Sequence, residues 1–155
     1  MSKSLRRVEE AARQSGLDIR IMRMPEVTRT AEEAARACGC SVERIVKSLI
    51  FQGVESGDLV LVLLNGADRL ELARTREWFG EALERADPKR VRAETGFAIG
   101  GVAPIGHKAP IRVWMDASLL DHARLWAAAG APNAVFEVSP RDLQRACGAG
   151  LFRLD

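Results

Sequence analysis

The sequence predicts an α+β fold in which helices flank a strand-rich centre. Two observations support this fold class: apolar residues recur at helical spacing in some segments and alternate at strand spacing in others. The extended segments also follow one another without the regular alternation with helices that a doubly wound sheet requires. With 155 residues, 47% of them hydrophobic, the chain can build one core, and we expect a single domain over residues 1–155.

Four helices are predicted, each ending at a glycine and recognisable by its apolar spacing or by a capping residue at its start. They span residues 5–16, 31–39, 88–96 and 141–148. Thr30 and Glu33 form a capping box before the second helix. Asp87 and Ser139 each precede a proline, which is the arrangement of an N-cap followed by the first helical residue.

Six extended segments are predicted from alternating or β-branched apolar residues. They span residues 19–24, 44–53, 58–66, 111–116, 124–130 and 134–139. The second and third are joined by a short loop that contains glycine and serine, so we expect them to be neighbours in one sheet.

Charge and composition exclude several classes of function. The net charge of +2 comes from 23 basic and 21 acidic residues, so no global positive field draws the protein to DNA, and any nucleic-acid contact must be local. No run approaches the roughly 20 apolar residues of a membrane span, and the amino terminus lacks the apolar core of a signal peptide. We therefore expect a soluble, cytoplasmic protein.

The cysteines and histidines do not predict a metal site or a cofactor. Cys38, Cys40 and Cys147 are odd in number, and the Cys-Gly-Cys spacing is shorter than that of a zinc knuckle. His107 and His122 have no acidic pair beside them. We interpret the cysteines as reduced thiols that pack in the structure, and we expect no metal and no cofactor.

Residues 100–110, GGVAPIGHKAP, contain three glycines, two prolines and one of the two histidines. The stretch from Gly101 to Lys108 resembles a phosphate-binding P-loop, except that His107 occupies the lysine position. A P-loop leads into a helix, whereas Pro110 and a predicted strand follow here, which excludes that function. The glycines and Pro104 still permit several backbone N–H groups to point at one oxygen. The alternative is a tight connection that needs glycine only for its geometry.

Lys47 interrupts an apolar strand, where alternation places it on the same face as Ile45, Leu49 and Phe51. Because desolvating an ammonium group is costly, this position predicts a pocket wall with an anion to meet. The alternative is a lysine on an edge strand whose ammonium reaches solvent.

Two further polar residues near these segments have simple interpretations. Ser48 faces the side opposite Lys47 and does not lie in a Gly-x-Ser-x-Gly motif, so covalent catalysis is not expected. Asp116 ends a predicted strand, a position that usually caps the following helix.

Taken together, three blocks of the sequence resemble the YbaK/EbsC (ProX) family, the free-standing relatives of the prolyl-tRNA synthetase editing domain. The blocks are residues 30–51, 95–116 and 126–143, and the resemblance spans residues 17–154. A lysine in a strand, a Gly-x-x-x-Pro loop and an aspartate at a strand end occur in the family's order and spacing. The resemblance implies a curved, mixed and partly barrel-like sheet with flanking helices and a pocket on one side. It also implies hydrolysis of amino acids wrongly attached to tRNA, chiefly to tRNA(Pro).

The resemblance implies a role for the main candidate residues. Lys47 would bind the phosphate or ribose end of the acceptor strand, and the amides of Gly100 and Gly101 would receive the developing charge of the carbonyl oxygen. The resemblance implies that no protein base is required, because the substrate's own ribose hydroxyl and backbone groups orient the attacking water. The remaining candidates for substrate binding are Thr30, Ser48, Pro104, Gly106, His107, Asp116, Ala128 and Gly130.

The chain departs from the family at Ala128, near the place where several members carry a serine. This departure puts a cysteine or alanine preference in doubt, so alanine, serine, threonine, cysteine and 2-aminobutyrate all remain candidate cargoes. The expected partners are the acceptor end of an aminoacyl-tRNA and, as a further candidate, prolyl-tRNA synthetase. The alternative function is a module that binds tRNA or a small molecule without turnover. Retention of Lys47 and of the loop from Gly100 to Pro104 argues against that alternative.

Overall fold

The computed structural model describes residues 2–154. Within this range the chain has five α-helices, which begin after side-chain caps in four cases. They are α1 (Lys3–Gln14), α2 (Ala31–Cys38), α3 (Thr75–Phe79), α4 (Pro88–Thr95) and α5 (Pro140–Cys147). The capping residues Thr30, Asp87 and Ser139 each accept a hydrogen bond from an amide of the helix they precede, as the sequence predicts.

The strands form one mixed sheet within the described range. They are β1 (Ile21–Arg23), β2 (Ile45–Gly53), β3 (Leu59–Asn65), β4 (Leu83–Arg85), β5 (Arg112–Asp116), β6 (Leu125–Ala131), β7 (Ala134–Val138) and β8 (Gly150–Phe152). The strand order is β1-β7-β6-β2-β3-β5-β8. β4 is not part of this order and pairs with β2. The pairs β2–β6, β3–β5 and β5–β8 are parallel, and the others are antiparallel. The predicted mixed sheet with flanking helices is confirmed.

The core lies on both faces of β3, which is buried along its whole length. Leu61 and Leu63 belong to the larger apolar cluster, whereas Val60, Val62 and Leu64 belong to the smaller one. This division follows the two-residue period of a strand. A strand buried on both faces needs an uninterrupted apolar run, which explains why β3 is the most hydrophobic segment of the sheet.

The glycine-rich loop after α4 is fixed to the amino-terminal helix. Arg7 on α1 donates hydrogen bonds to the carbonyl oxygens of Gly96 (2.6 Å) and Gly106 (3.2 Å). Its guanidinium also lies 5.1 Å from the ring centre of Phe97. One side chain of α1 thus contacts the residue that ends α4 and a residue within the glycine-rich loop.

Candidate active site

A cavity of about 570 Å³ lies beside β2. Five parts of the chain line it: residues 45–51 of β2, the start of α2 with the residues before it, the turn after β3, a part of the loop that follows α4 (Ile99, Gly100 and Val102), and the facing parts of β6 and β7. A cavity of this size accommodates a small ligand or the end of a larger one.

The cavity lies against β2 because the edge of that strand is open there. β6 pairs with β2 only as far as Val46, which lies opposite Ala127. β4 begins to pair at Phe51, opposite Arg85. Between these two ladders, residues 47–50 have a strand neighbour on the β3 side alone.

The peptide group of Ser48 faces this open edge. The amide N–H of Gly53 donates a hydrogen bond to the carbonyl oxygen of Asp58 on the β3 side. The amide N–H of Val54 donates to the carbonyl oxygen of Ala82 on the β4 side. Because the peptide groups of a strand alternate between its two edges, Ser48 shares the edge of Val54. Backbone N–H and C=O groups therefore contribute to the cavity wall.

A bulge in β6 accounts for its divergence from β2. The register with β7 shifts between Ala128 and Ala131, and Gly130 lies there with φ +104°. A Cβ atom at this glycine would lie 3.1 Å from the ring of Phe97 and 3.2 Å from Ser4. Since a bulge bends the strand that carries it, Gly130 shapes the cavity without lining it, and its predicted role in substrate binding is not supported.

The ammonium group of Lys47 lies at the cavity wall and donates a hydrogen bond to the carbonyl oxygen of Asp68 at 2.7 Å. Burial lowers the pKa of Lys47 from its usual value, and the guanidinium of Arg69 lowers it further, whereas the carboxylates of Glu32 and Asp68 oppose this shift. An ammonium has three N–H donors, so two remain for a ligand.

Two arginines give the cavity further positive charge. Arg29 and Arg69 both line it, and within residues 2–154 neither guanidinium forms an ion pair. Arg44 and Arg124, by contrast, both pair with Glu137. Guanidinium groups without a carboxylate partner can bind phosphate groups.

The glycine-rich loop brings Gly100 and Val102 to the cavity, but it uses the amide of Gly101 internally. The N–H of Gly101 donates to the carbonyl of Ala98 at 2.9 Å, so this amide is not free to serve as the predicted oxyanion donor. A Cβ atom on Gly101 would lie 3.1 Å from the Cα atom of Ala131, which means that this glycine permits close packing of the loop on β6.

Two other amides of the loop are candidates in place of Gly101. Within the described residues, the N–H groups of Gly100 and Val102 donate no hydrogen bond to the chain. Val102 is only 5% exposed, and a buried amide without a partner is rare in native proteins. Because both residues line the cavity, their amides are the candidates for binding a ligand oxygen.

The second half of the loop lies elsewhere, contrary to the assignment of Pro104, Gly106 and His107 to substrate binding. These residues line a separate cavity of about 500 Å³ against α1. Nε2 of His107 donates to the carbonyl of Ala103 at 2.7 Å. Burial lowers the pKa of His107, so the neutral ring is favoured. The three residues therefore lie outside the lining of the candidate site.

Asp116 is also absent from the cavity lining and is only 2% exposed. Its carboxylate accepts hydrogen bonds from Asn65 and Ser118. A buried carboxylate with these partners has no free oxygen to offer a substrate, so its predicted role in substrate binding is not supported. The sequence-based expectation that Asp116 caps the next segment is confirmed by its bond to the amide of Ser118.

Thr30, Ser48 and Ala128 all line the cavity, and substrate binding by these three residues stays a prediction. The hydroxyl of Thr30 already accepts the amide of Glu33 as the cap of α2. The Oγ atom of Ser48 is buried and has no hydrogen-bond partner within the described part of the chain. Such an atom in a cavity wall is available to a bound group or a water molecule.

Residues 25–146 match the aminoacyl-tRNA editing domain family, which is more than half of the chain. The chain belongs to this family. The resemblance to YbaK/EbsC proteins that the sequence motifs indicate is thereby confirmed.

Three proteins similar to this editing domain are a solved structure and two bacterial sequences. A solved structure described as "a putative trans-editing enzyme for prolyl tRNA synthetase" is 42% identical with a TM-score of 0.91, and the alignment covers 99% of this chain and 97% of that one. YwhH of Bacillus subtilis, an uncharacterized protein, is 34% identical over 74% of this chain and 72% of its own length. The "Putative Cys-tRNA(Pro)/Cys-tRNA(Cys) deacylase EbsC" of Enterococcus faecalis is 28% identical over 72% of this chain and 68% of its own length.

Sequence reasoning missed three polar residues of this editing domain. Arg29 and Arg69 lie next to a helix cap and a strand end, and nothing local indicates that they meet at one cavity. Asn65 had a local signal, because asparagine followed by glycine at the end of a strand is typical of a turn. Within residues 2–154, no cluster of three metal-ligating side chains occurs, and no helix is long and apolar enough to span a membrane.

Proposed function

We propose that this editing domain is a trans-acting aminoacyl-tRNA deacylase that removes a small amino acid from the 3′ end of a mischarged tRNA, most favourably tRNA(Pro). One observation carries the proposal: Lys47, Gly100 and Val102 line the same cavity, and the amides of Gly100 and Val102 have no acceptor within the described residues. A cation and two N–H donors around one small space suit an ester whose carbonyl oxygen becomes negative during hydrolysis.

In the proposed reaction, water attacks the carbonyl carbon of the aminoacyl ester. The amides of Gly100 and Val102 receive the negative charge that develops on the carbonyl oxygen, and each such donor contributes about 3 to 4 kcal/mol in comparable sites. The bond to the ribose oxygen then breaks, and that oxygen takes up the proton that the water gives up. The products are the free amino acid and the uncharged tRNA.

Lys47, Arg29 and Arg69 are proposed to hold the acceptor strand. All three are cations of the cavity wall, and a single-stranded acceptor end carries a phosphate at each nucleotide. Lys47 lies on β2, which lines the cavity together with Gly100 and Val102 of the loop, so its ammonium is proposed to bind the terminal ribose or its phosphate. The two arginines would bind the phosphates that precede the terminal adenosine.

A small and mostly apolar side chain is the best match for the amino-acid end of the cavity. Seven alanines contribute to the lining: Ala31, Ala34, Ala67, Ala127, Ala128, Ala131 and Ala134. One methylene group in an apolar pocket changes binding by only about 1 to 3 kcal/mol. The rates at which the candidate amino acids are released are therefore expected to differ moderately, without complete exclusion of any of them.

The alternative function, binding without turnover, is favoured by one observation. The amide of Gly101 is directed to Ala98 and not to the cavity, so one of the expected oxyanion donors is missing. The two functions differ in whether the ester is broken.

The test is a panel of tRNA(Pro) molecules mischarged with alanine, serine, threonine, cysteine or 2-aminobutyrate, with release of the amino acid as the measurement. We expect release from at least one member, and loss of release in Lys47→Ala with the melting temperature retained. Lys89→Ala, at an exposed position of α4, is the control and should remain active. Binding of the tRNA without release would support the alternative, and normal turnover by Lys47→Ala would remove Lys47 from the mechanism.

A further inference from the structure

The turn that follows β3 is closed by the side chain of Asn65. Its Oδ1 atom accepts the amides of Ala67 at 2.8 Å and of Asp68 at 3.2 Å. Its Nδ2 atom donates to the carboxylate of Asp68 at 2.6 Å. Two N–H groups face the oxygen and a carboxylate faces the nitrogen, so these partners determine the orientation of the amide.

Asp116 holds Asn65 from the neighbouring strand. β5 runs parallel to β3 and ends at Asp116. One carboxylate oxygen accepts both the backbone amide of Asn65 at 3.2 Å and its side-chain amide at 2.8 Å. The other accepts the amide and the hydroxyl of Ser118 at 2.9 and 2.8 Å. Four donors around a buried carboxylate resist displacement, because any lost bond leaves a charge poorly solvated.

The same turn provides the acceptor for Lys47. The carbonyl oxygen of Asp68 accepts the hydrogen bond from the Lys47 ammonium at 2.7 Å. The backbone of Lys47 is fixed by its pairing with Leu64 on β3, but four rotatable bonds separate that backbone from the ammonium. The position of the ammonium therefore depends on where the turn holds this carbonyl.

We propose that Asp116 and Asn65 are positioning residues for the Lys47 ammonium. The buried carboxylate of Asp116 orients Asn65, the side chain of Asn65 shapes the turn, and the carbonyl of Asp68 directs the ammonium along the cavity wall. Neither Asp116 nor Asn65 lines the cavity, so both act through Lys47. The inference rests on the proposed function in one respect, which is that Lys47 binds the substrate.

The principal test is the variant Asn65→Ala in the full chain. We expect kcat for deacylation to fall on the order of 10- to 100-fold, as is typical when a catalytic group is displaced by about 1 Å. A milder pair of variants changes only the exposed Asp68 side chain. Asp68→Ala removes the acceptor that the turn itself offers to the Asn65 Nδ2 atom and leaves the bond to Asp116, whereas Asp68→Asn keeps an acceptor oxygen in the turn and removes the same charge. Asp68→Asn should retain more activity than Asp68→Ala, and equal activities would contradict the proposal.

Thr75→Val is the control for a general loss of stability. Thr75 is buried, and its hydroxyl donates to the carbonyl of Leu72 and accepts the amide of Leu83, both at 2.8 Å. The residue does not line the cavity. Thr75→Val should lower the melting temperature and leave kcat unchanged. If it lowers kcat as much as Asn65→Ala does, the effect of Asn65 is one of stability and the proposal is overturned.

A double-mutant cycle tests the link between Asn65 and Lys47. The measurement is the dissociation constant of an aminoacyl-tRNA analogue with an amide in place of the ester, in the wild type, Asn65→Ala, Lys47→Ala and the double variant. If Asn65 acts through Lys47, its replacement should weaken binding in the wild type and have no further effect once Lys47 is alanine. Additive losses would overturn the inference.

A crystal structure of Asn65→Ala separates this inference from the proposed function. We expect the Lys47 Nζ atom to leave the Asp68 carbonyl. If the two atoms stay within about 3 Å, the positioning role is wrong even if the wild type is a deacylase. If the wild type releases no amino acid from any mischarged tRNA, the proposed function fails, while the displacement of Nζ still tests the positioning role.

Discussion

Lys47 is the residue whose charge the proposed chemistry needs, and its environment makes that charge sensitive to pH. Burial disfavours the ammonium, so the pKa of Lys47 lies below its usual value. A step that requires the ammonium is fully active below this pKa and is lost as the pH rises through it. The enzyme-catalysed rate, after subtraction of spontaneous ester hydrolysis, should therefore fall at a lower pH than the usual lysine pKa of about 10.4.

The variant Arg69→Ala tests the cause of this shift. The guanidinium of Arg69 lowers the pKa of Lys47, so its removal should move the alkaline limb of the rate profile to higher pH. The measurement is kcat as a function of pH for both proteins at saturating substrate. A limb that moves to lower pH would contradict the assigned electrostatics.

Arg29 and Arg69 also give a prediction about ionic strength. If each contacts one phosphate, Arg29→Ala and Arg69→Ala should each raise KM. Each should also reduce the slope of log affinity against log salt by about 0.7, the value for one contact on a single strand. Arg92→Ala, at an exposed position of α4 outside the cavity, is the matched control. Equal salt slopes in all four proteins would show that the arginines do not bind the acceptor strand.

Single residues also mark the limit of what sequence can predict about the site. Lys47 was accessible to prediction because a charge in an apolar strand is a local anomaly. The engagement of the Gly101 amide was not, because its acceptor Ala98 lies outside the glycine-rich segment and the turn depends on packing against β6. The role of Asp116 was only half predictable: the local cap was visible, whereas its bonds to Asn65 depend on the parallel pairing of two strands.

At the level of elements, most helices and strands follow from local signals. The capping residues give the starts of α2, α4 and α5, and alternation gives β2, β3 and β5 to β7. α3, β4 and β8 were missed because segments of five or three residues are too short to show a period. The parallel pairing of β2 with β6 could not be predicted, since it joins residues about 80 positions apart through only two pairs.

The bulge in β6 gives a prediction at this scale. Gly130→Ala places a side chain at φ +104° and within 3.1 Å of Phe97, so it should lower the free energy of unfolding by about 1 to 3 kcal/mol and reduce activity by moving β6. Gly57→Ala is the control: its φ of +74° is also positive, but a Cβ atom there meets nothing within 4 Å. Urea denaturation should show the larger loss for Gly130→Ala. Equal losses would mean that φ alone, and not the contact with Phe97, sets the cost.

The change in stability of the whole molecule with pH should depend on His107. Burial lowers its pKa in the folded state, so the unfolded chain binds more protons once the pH falls below the usual histidine pKa of about 6.5. Stability is therefore complete above that value and decreases as the pH falls toward the folded-state pKa. Thermal unfolding between pH 7 and pH 5 should show this loss, and His107→Gln should reduce it. The lowered pKa of Glu81 changes stability only at pH values near and below the usual glutamate pKa, so it does not affect this measurement.

The shift of register in β6 has a consequence for how a ligand site can arise in a sheet. Two residues, 129 and 130, lie between partners that are adjacent on β7. Because an even insertion preserves which side chains point inward, such an insertion could open a gap beside β2 while every core position downstream kept its environment. Deleting both residues leaves Ala128 and Ala131 before the turn at residues 132 and 133, so the β2–β6 ladder should extend to residues 47 and 48 and narrow the gap beside β2.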